Sequence, residues 1–351
     1  MQNEWIISPE DPILVTGSNG FIGVQVVQTL IQYGFRNIRC FVRPSSDTSR
    51  LEKSAHSTNP ATIRIIKGDL LSPEACVRAS KDIAVVFHLA TVSSRSYAGV
   101  FMGTVISTRN LLDANLKNSN LRRFLNVSSL AVYSNREIRR GRVLDETCQV
   151  DSEPESRYDA YAYGKIKQDE LLLEYGKKFK IPYVIVRPGA VYGPGKAGIT
   201  GRVGIDTFGM FLHLGGRNRI PFTYVDNCAE AIVLAGLRKG VESNVFNIID
   251  DELPTSRWFL RMYKKNVCPL RSLSIPYSMI YMLCFLWEKY SKWSRGQVPP
   301  IFNRSRCITE WGGNLYSNNK TKELLGWKQK VDLAEAMKRY FEYQKANRGG
   351  I

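Results

Sequence analysis

Three glycines spaced three residues apart constrain the fold of this chain more than any other feature. The apolar run Ile13–Thr16 is followed directly by glycines at 17, 20 and 23, and an apolar pattern with helical spacing continues to Leu30. In a strand–turn–helix unit, the first glycine permits a sharp turn, the second lets a pyrophosphate approach the backbone, and the third lets helix and strand pack closely. Free N–H groups at the helix start attract phosphates, so the segment predicts dinucleotide binding. The predicted contacts are Gly17, Ser18, Asn19, Gly20, Phe21, Ile22 and Gly23.

Strands and helices alternate along the first half of the chain. Alternation of this kind predicts an α/β fold with a doubly wound parallel sheet, the Rossmann arrangement. The predicted strands are 13–16, 38–42, 63–66, 83–89, 124–128 and 183–186, and the predicted helices lie around 72–80, 100–117 and 161–179.

The chain is too long for a single compact core, because its 351 residues exceed the usual domain size of about 100–200 residues. Residues 189–216 are glycine-rich and read as irregular, and the alternation is lost after Asn247. We therefore predict a Rossmann domain at 1–188, to which 221–249 return, and a smaller C-terminal substrate lobe made of 189–220 and 250–351.

The residue after the second predicted strand bears on the choice of dinucleotide. An acid there accepts hydrogen bonds from the ribose hydroxyls of NAD, whereas a cation accommodates the 2′-phosphate of NADP. Arg43 occupies this position, with no acid before Asp47, which favours NADP over NAD; a solvated loop arginine is the alternative. Asp69, after the third strand, is placed either to meet the adenine amine or to start the helix at Ser72-Pro73.

Tyr161 and Lys165 form a pair that suits acid–base chemistry. Four residues apart on a helix, both side chains lie on one face, and a neighbouring ammonium is expected to lower the pKa of a phenol. Such a phenol can give or take the proton of a carbinol oxygen. Ser129, at the end of the fifth strand, is placed to hold the same oxygen, with Ser128 as the alternative.

Bulk properties limit the remaining classes of function. The seven cysteines are scattered, the three histidines lie far apart, and MQNEWIISPEDP lacks the pattern of a secretory signal. We therefore predict a cytoplasmic protein with no metal site. The net charge of +17 favours nucleic acid, an anionic lipid surface or an anionic ligand, with solvated basic faces as the alternative. Without an aromatic-rich nucleic-acid motif, we predict no nucleic-acid partner.

About half of the net charge lies in the segment 257–306, which contains ten basic residues against one acid, Glu288. Within it, Leu273–Trp287 is an uncharged run of fifteen residues, too short to span a bilayer, which takes about 20 residues. One interpretation is a buried helix. The other is an interfacial element in which apolar insertion and basic flanks contact an anionic membrane.

The order of the motifs TGSNGFIG, GDL, FHLAT, NVSSLAVY, YAYGK, RPGAVYGPG and YVDNCAEA resembles that of the extended short-chain dehydrogenase/reductase superfamily over nearly the whole chain. The resemblance implies that Tyr161 is the catalytic acid–base, that Lys165 binds the ribose and activates Tyr161, and that Ser129 contacts the substrate hydroxyl. It also implies a homodimer through the helices bearing Thr104–Leu116 and Tyr161–Leu173. Thr104 stands where the family often has asparagine. Further cofactor contacts implied are Asp69, Leu70, Leu89, Ala90, Thr91 and Pro188.

Family variation narrows the reaction. Sugar dehydratases resemble one another in having Asp-Glu after the catalytic serine or threonine, and this chain has Leu130-Ala131. Epimerases of nucleotide sugars tend to have an arginine before the strand ending in VxD, where this chain has Ile220, with Arg219 one residue away. RIPFTYVDN instead resembles the 3β-hydroxysteroid dehydrogenase-like branch.

The sequence thus predicts an NADP-preferring or NAD-dependent oxidoreductase that interconverts a secondary alcohol and a ketone on an apolar substrate. A nucleotide-sugar 4-epimerase or reductase is the alternative, and a non-catalytic Rossmann module is a third.

Overall fold

The protein is described from a computed structural model, which covers residues 4–56, 63–94, 96–134, 141–207, 209–295 and 297–347. The strands are β1 (Ile13–Thr16), β2 (Ile38–Val42), β3 (Ile63–Lys67), β4 (Val85–His88), β5 (Arg123–Val127), β6 (Val143–Leu144), β7 (Tyr183–Pro188), β8 (Ala190–Tyr192), β9 (Gly204–Thr207), β10 (Met210–His213), β11 (Phe222–Tyr224), β12 (Val245–Ile248), β13 (Ser272–Ser274) and β14 (Leu315–Tyr316). The α-helices are α1 (Phe21–Gln32), α2 (Ser49–His56), α3 (Pro73–Ser80), α4 (Tyr97–Val100), α5 (Ser107–Asn115), α6 (Ala160–Phe179), α7 (Val225–Leu237), α8 (Ser256–Asn266), α9 (Tyr277–Trp293), α10 (Arg304–Trp311), α11 (Asn319–Leu325) and α12 (Leu333–Ala346).

Seven parallel strands form the central sheet in the order β3-β2-β1-β4-β5-β7-β12. Ile13 of β1 lies opposite Ile38 of β2 on one side and Val85 of β4 on the other. The strand order reverses between β1 and β4, and in open α/β sheets ligands bind outside the carboxyl ends of the strands at such a switch point.

Helices cover both faces of the sheet, as the strand pattern requires. Ile13 and Val15 of β1 pack in one apolar cluster with α1 and α7, whereas Leu14 packs in a second cluster with α3, α5 and α6. Successive side chains of a strand point to opposite faces, so this short apolar run serves two cores. The predicted doubly wound Rossmann fold is confirmed.

The structure differs from the sequence-based assignment in three places. The stretch 189–216, read as irregular, contains β8, β9 and β10. The sheet gains a seventh strand, β12, at the edge beyond β7. The helix predicted at 100–117 runs from Tyr97 to Asn115 with a π-helical turn at Phe101–Ile106; π turns recur at functional sites because they shift a side chain within a helix.

Outside the central sheet, β9, β10 and β13 form a small sheet, and Leu214, Ile280, Cys284, Cys307 and Trp311 form a separate apolar cluster. The division into a Rossmann domain and a substrate lobe at the stated boundaries stays a prediction. Within the described ranges, no helix has the length and apolar character needed to cross a bilayer.

Candidate active site

The glycine loop lies where β1 meets the start of α1. Gly17 has a φ of +67°, a conformation that favours glycine, and a Cβ there would lie 2.9 Å from the Ala90 nitrogen. A Cβ on Gly23 would collide with the Gly17 carbonyl oxygen and would lie 2.8 Å from the Ser18 Cα. Side chains at these positions would fill the space at the helix start, where backbone N–H groups bind anions. This cradle fits the pyrophosphate of a dinucleotide.

The other predicted cofactor contacts follow strands of the same sheet. Arg43 is exposed after β2, Asp69 is exposed after β3, residues 89–91 follow β4, and Pro188 ends β7. Because the strands are parallel, these positions lie along one edge together with Gly17. The structure therefore brings the predicted set to the edge that contains the switch point.

Asp69 does not cap the helix that follows it. Its carboxylate accepts a hydrogen bond from the Leu71 nitrogen at 2.9 Å, and Ser72 caps α3 by accepting from the Ala75 nitrogen at 3.1 Å. The carbonyl of Leu70 accepts from Asn110 at 3.0 Å. Asp69 thus shapes the turn, and its exposed carboxylate remains available at the sheet edge.

Ser129 follows β5, and Tyr161 and Lys165 lie one turn apart on α6. The Ser129 hydroxyl interacts with the Tyr161 phenol and lowers its pKa, but burial raises the pKa of Tyr161 more strongly. The expected lowering of the phenol pKa by Lys165 is therefore wrong for this structure. The reason is the burial of the phenol. The Lys165 Nζ donates elsewhere, to the Val127 carbonyl at 2.7 Å and to Gln168 Oε1 at 3.0 Å. Burial also lowers the pKa of Lys165 to about 8, against the attraction of Asp169.

The two candidate serines have different surroundings. Ser128 is buried, and its hydroxyl donates to the Asp169 carboxylate at 2.9 Å. Asp169 also forms an ion pair with Arg187, in which Nη2 and Oδ2 are 3.1 Å apart. Ser129 is half-buried and faces Tyr161, so Ser128 belongs to the supporting network and Ser129 to the accessible site.

The neighbouring tyrosines lack these contacts. Tyr158 is exposed and precedes α6 with a φ of +52°, and Tyr163 packs edge-on against Tyr97, with ring centroids 5.2 Å apart.

Thr104, in the π turn, holds the loop that follows β4. Its hydroxyl lies 3.2 Å from that of Thr91 and accepts from the Val92 nitrogen at 3.1 Å. Threonine thus has a structural use at the position where the family often has asparagine.

Sequence reasoning missed one partner of Lys165, namely Gln168. The signal was present, since residues three apart on a helix are neighbours, but a single glutamine carries no chemical signature on its own.

Two further observations limit the site. Ile220 is buried, whereas the neighbouring Arg219 is exposed and donates to the Leu253 carbonyl at 3.3 Å. In the part of the chain that the structure describes, no three His, Cys, Asp or Glu side chains converge as a metal site requires.

The fold and the glycine cradle define a dinucleotide-binding α/β protein. The profile of the family "NAD dependent epimerase/dehydratase family" matches residues 13–248, so the chain belongs to that family and is an enzyme of the extended short-chain dehydrogenase/reductase type.

Individual relatives are more distant. The chain is 25% identical over 349 residues to 3beta-hydroxysteroid-dehydrogenase/decarboxylase isoform 1 of Arabidopsis thaliana, covering 93% of this chain and 78% of the relative. It is 24% identical to the decarboxylating sterol-4-alpha-carboxylate 3-dehydrogenase of Mus musculus, covering 95% and 91%. The crystal structure of UDP-glucuronic acid 4-epimerase from Bacillus cereus in complex with NAD superposes with a TM-score of 0.68 at 21% identity, covering 95% and 99%.

Proposed function

We propose that this enzyme interconverts a secondary alcohol and a ketone on an apolar substrate, using a nicotinamide cofactor and the residues Ser129, Tyr161 and Lys165. The observation that carries the proposal is the meeting of Tyr161 with Ser129 beside the switch point of the sheet. A nicotinamide bound along the glycine loop supplies or accepts the hydride.

Side chains of the protein carry out the proton transfer and stabilise the reacting oxygen. Tyr161 gives a proton to the carbonyl oxygen as it becomes a hydroxyl, or takes it in the reverse direction. Ser129 donates a hydrogen bond to the same oxygen and so stabilises its developing charge. Lys165 uses two of its N–H groups on Val127 and Gln168, and the third is available to a ribose hydroxyl.

Replacing Tyr161 with phenylalanine removes the proton donor and keeps the ring. We expect Tyr161→Phe to lower turnover by ~10²–10⁴-fold, the usual contribution of general acid–base catalysis, and to leave the cofactor Kd unchanged. Steady-state kinetics with fluorescence titration of the cofactor measures both. Tyr158→Phe and Tyr163→Phe are the matched controls; the assignment is wrong if either is inactive while Tyr161→Phe is active.

We propose that NADP is preferred over NAD because Arg43 is exposed at the end of β2, where the 2′-phosphate lies in this fold. Hydrogen bonds to charged groups contribute about 1.5–3 kcal/mol, so Arg43→Ala is expected to narrow the affinity ratio by about ten- to a hundredfold. Arg36→Ala, which removes an exposed arginine paired with Glu10, is the charge-matched control. Tighter binding of NAD than of NADP by the unaltered enzyme would contradict the proposal.

The apolar substrate is supported by the buried Ile220, which leaves no cation at the position where epimerases tend to clamp a pyrophosphate. It is also supported by the two sterol dehydrogenases among the relatives. The second candidate, a nucleotide-sugar 4-epimerase, is favoured by the epimerase among the structural neighbours. A screen of sterols, flavonoid-type ketones and UDP- or GDP-sugars separates them, since epimerisation leaves nicotinamide absorbance unchanged.

We further propose that the enzyme is a homodimer through α5 and α6. A separate proposal is that the segment 257–306 contacts anionic membrane peripherally. The membrane proposal rests on an exposed apolar face of α9. At about 100° per residue, six large side chains fall within an arc of about 100°, and they are between 49% and 77% exposed. These residues, here called the α9 face, are Met279, Met282, Leu283, Leu286, Tyr290 and Trp293.

The opposite side of α9 faces the protein, through the buried Ile280, Cys284 and Ser291. The helix is therefore apolar on both sides, and a contiguous exposed apolar patch marks a binding surface. Arg271 before the helix, and the exposed lysines and arginine of 289–295 at its end, give the surroundings a positive charge, which suits an anionic bilayer.

The helix α9 is connected through the start of α10 to the turn that precedes α6, since the Arg304 nitrogen donates to Glu288 of α9 at 2.7 Å. Asn303, at the start of α10, donates to the Arg157 carbonyl at 2.9 Å, and Arg157 is followed closely by Asp159, which caps the helix that bears Tyr161. We propose that this region borders the entrance for an apolar substrate.

Liposome sedimentation with neutral and anionic vesicles, at low and high salt, tests the α9 face. Each basic residue near the surface adds about 1 kcal/mol on an anionic bilayer, so we expect binding that needs anionic lipid and weakens with salt. Leu286→Glu should abolish it, whereas Val77→Glu, at an exposed apolar position on α3, should not. Equal recovery in the supernatant under all four conditions contradicts membrane binding; a salt-independent dimer broken by Leu286→Glu would instead assign the face to a second copy.

A further inference from the structure

We propose that Gln168 is a positioning residue, which holds the Lys165 ammonium in place and anchors it through a buried hydrogen-bond chain to the last residue of β1. The inference rests on the proposed function, in which Lys165 contacts the cofactor. Neither the family motifs nor the sequence pattern singled out Gln168.

The chain consists of side chains that come from four separate elements. Gln168 of α6 accepts from Lys165 Nζ at 3.0 Å and donates through Nε2 to the Thr108 hydroxyl of α5 at 2.7 Å. Thr108 lies 2.8 Å from His88 Nε2 at the end of β4, and His88 Nδ1 lies 2.7 Å from the Thr16 hydroxyl at the end of β1. The four side chains that continue this hydrogen-bond chain from Lys165 are completely buried.

Counting protons fixes the direction of each bond. The one hydroxyl proton of Thr108 goes to the Thr104 carbonyl at 2.6 Å, so Thr108 can only accept from Gln168 and from His88. Burial lowers the pKa of His88 to about 3, so the ring is neutral, protonated at Nε2, and its Nδ1 accepts from Thr16. The amide orientation of Gln168 is fixed at both ends, since an ammonium only donates.

The chain ends at the cofactor cradle. Thr16 directly precedes Gly17, and its hydroxyl accepts from the Ala90 nitrogen at 3.4 Å, beside the point where a Cβ on Gly17 would collide. Fully satisfied buried networks are rigid, because any displaced member is left unpaired in a low-dielectric interior. The position of Lys165 is thereby coupled to the position of the glycine loop.

Gln168 also affects the charge of Lys165. A carbonyl oxygen against the ammonium favours the protonated form, which burial disfavours. The Val127 carbonyl accepts a second proton of the ammonium. The charged and titratable groups near Lys165 are Asp169, paired with Arg187, the neutral ring of His88 and, one turn earlier on α6, the phenol of Tyr161. None of them replaces the acceptor that Gln168 supplies.

Two substitutions at this position should have opposite effects. Gln168→Leu keeps the size but removes the acceptor, so the alkaline limb of ketone reduction should move to lower pH by about one to two units, and kcat should fall by about ten- to a hundredfold. Gln168→Glu places an anion against Lys165, so the limb should move to higher pH. If Gln168 had only a structural role, the two variants would not shift the alkaline limb in opposite directions.

The matched control is Tyr175→Phe on the same helix, α6. It removes a partly buried hydrogen bond from the Tyr175 hydroxyl to Asp113 and leaves the hydrogen bonds of Lys165 unchanged. Its pH profile should match that of the unaltered enzyme. Shifts in the same direction for Leu and Glu, or no shift for either, overturn the inference. If Gln168→Leu does not fold, Gln168→Glu decides alone: an upward shift supports the inference and an unchanged limb overturns it.

A second readout separates this inference from the proposed function. The Kd for NADP, titrated against pH by protein fluorescence, needs no turnover and should show the same opposite shifts. Failure of the unaltered enzyme to reduce any ketone would reject the proposed function and leave the Kd profiles to decide on Gln168. Turnover with unchanged profiles in both variants would keep the function and reject the role of Gln168.

Discussion

The close approach of α1 to β1 is the contact on which the rest of the site depends. Because Gly23 has no Cβ, the first turn of the helix can lie directly against the Gly17 carbonyl, and this sets the helix start over the switch point between β1 and β4. The loops after β2, β3, β4 and β7 then lie along the same edge of the sheet. Thr16, the residue before this contact, is also where the buried chain from Lys165 ends.

Burial works against the charges that the chemistry needs. Desolvation raises the pKa of Tyr161 and lowers that of Lys165, so neither group is poised by its neighbour alone. The Val127 carbonyl and Gln168 accept hydrogen bonds from the ammonium, and Ser129 interacts with the phenol and lowers its pKa. Beneath them, Asp169 and Arg187 neutralise each other and satisfy Ser128, which leaves Ser129 for the accessible side of the site.

The features that could be predicted from the sequence are those set by residues close together along the chain. Glycines three apart and a tyrosine four residues before a lysine carry their geometry within one element, so fold and candidate triad could be read from the sequence. The rest of the hydrogen-bond chain beyond Gln168 could not, because residues 16, 88 and 108 meet Gln168 only through the tertiary fold. The same holds for α9: an uncharged run is visible in the sequence, but the direction in which each side faces depends on packing. The pKa of Tyr161 was predicted in the wrong direction because the lysine was considered and burial was not.

Transfer of deuterium from the cofactor to the substrate distinguishes a ketone reductase from a nucleotide-sugar epimerase. The enzyme is incubated with NADPH deuterated at the reactive C4 position and with the apolar ketone that gives the fastest oxidation of NADPH in the screen. The product is analysed by mass spectrometry and NMR. We expect an alcohol that carries the deuterium at the carbinol carbon, in an amount equal to the NADP produced. Turnover of a nucleotide sugar to its epimer, without net oxidation of the cofactor and with no apolar ketone reduced, would contradict it.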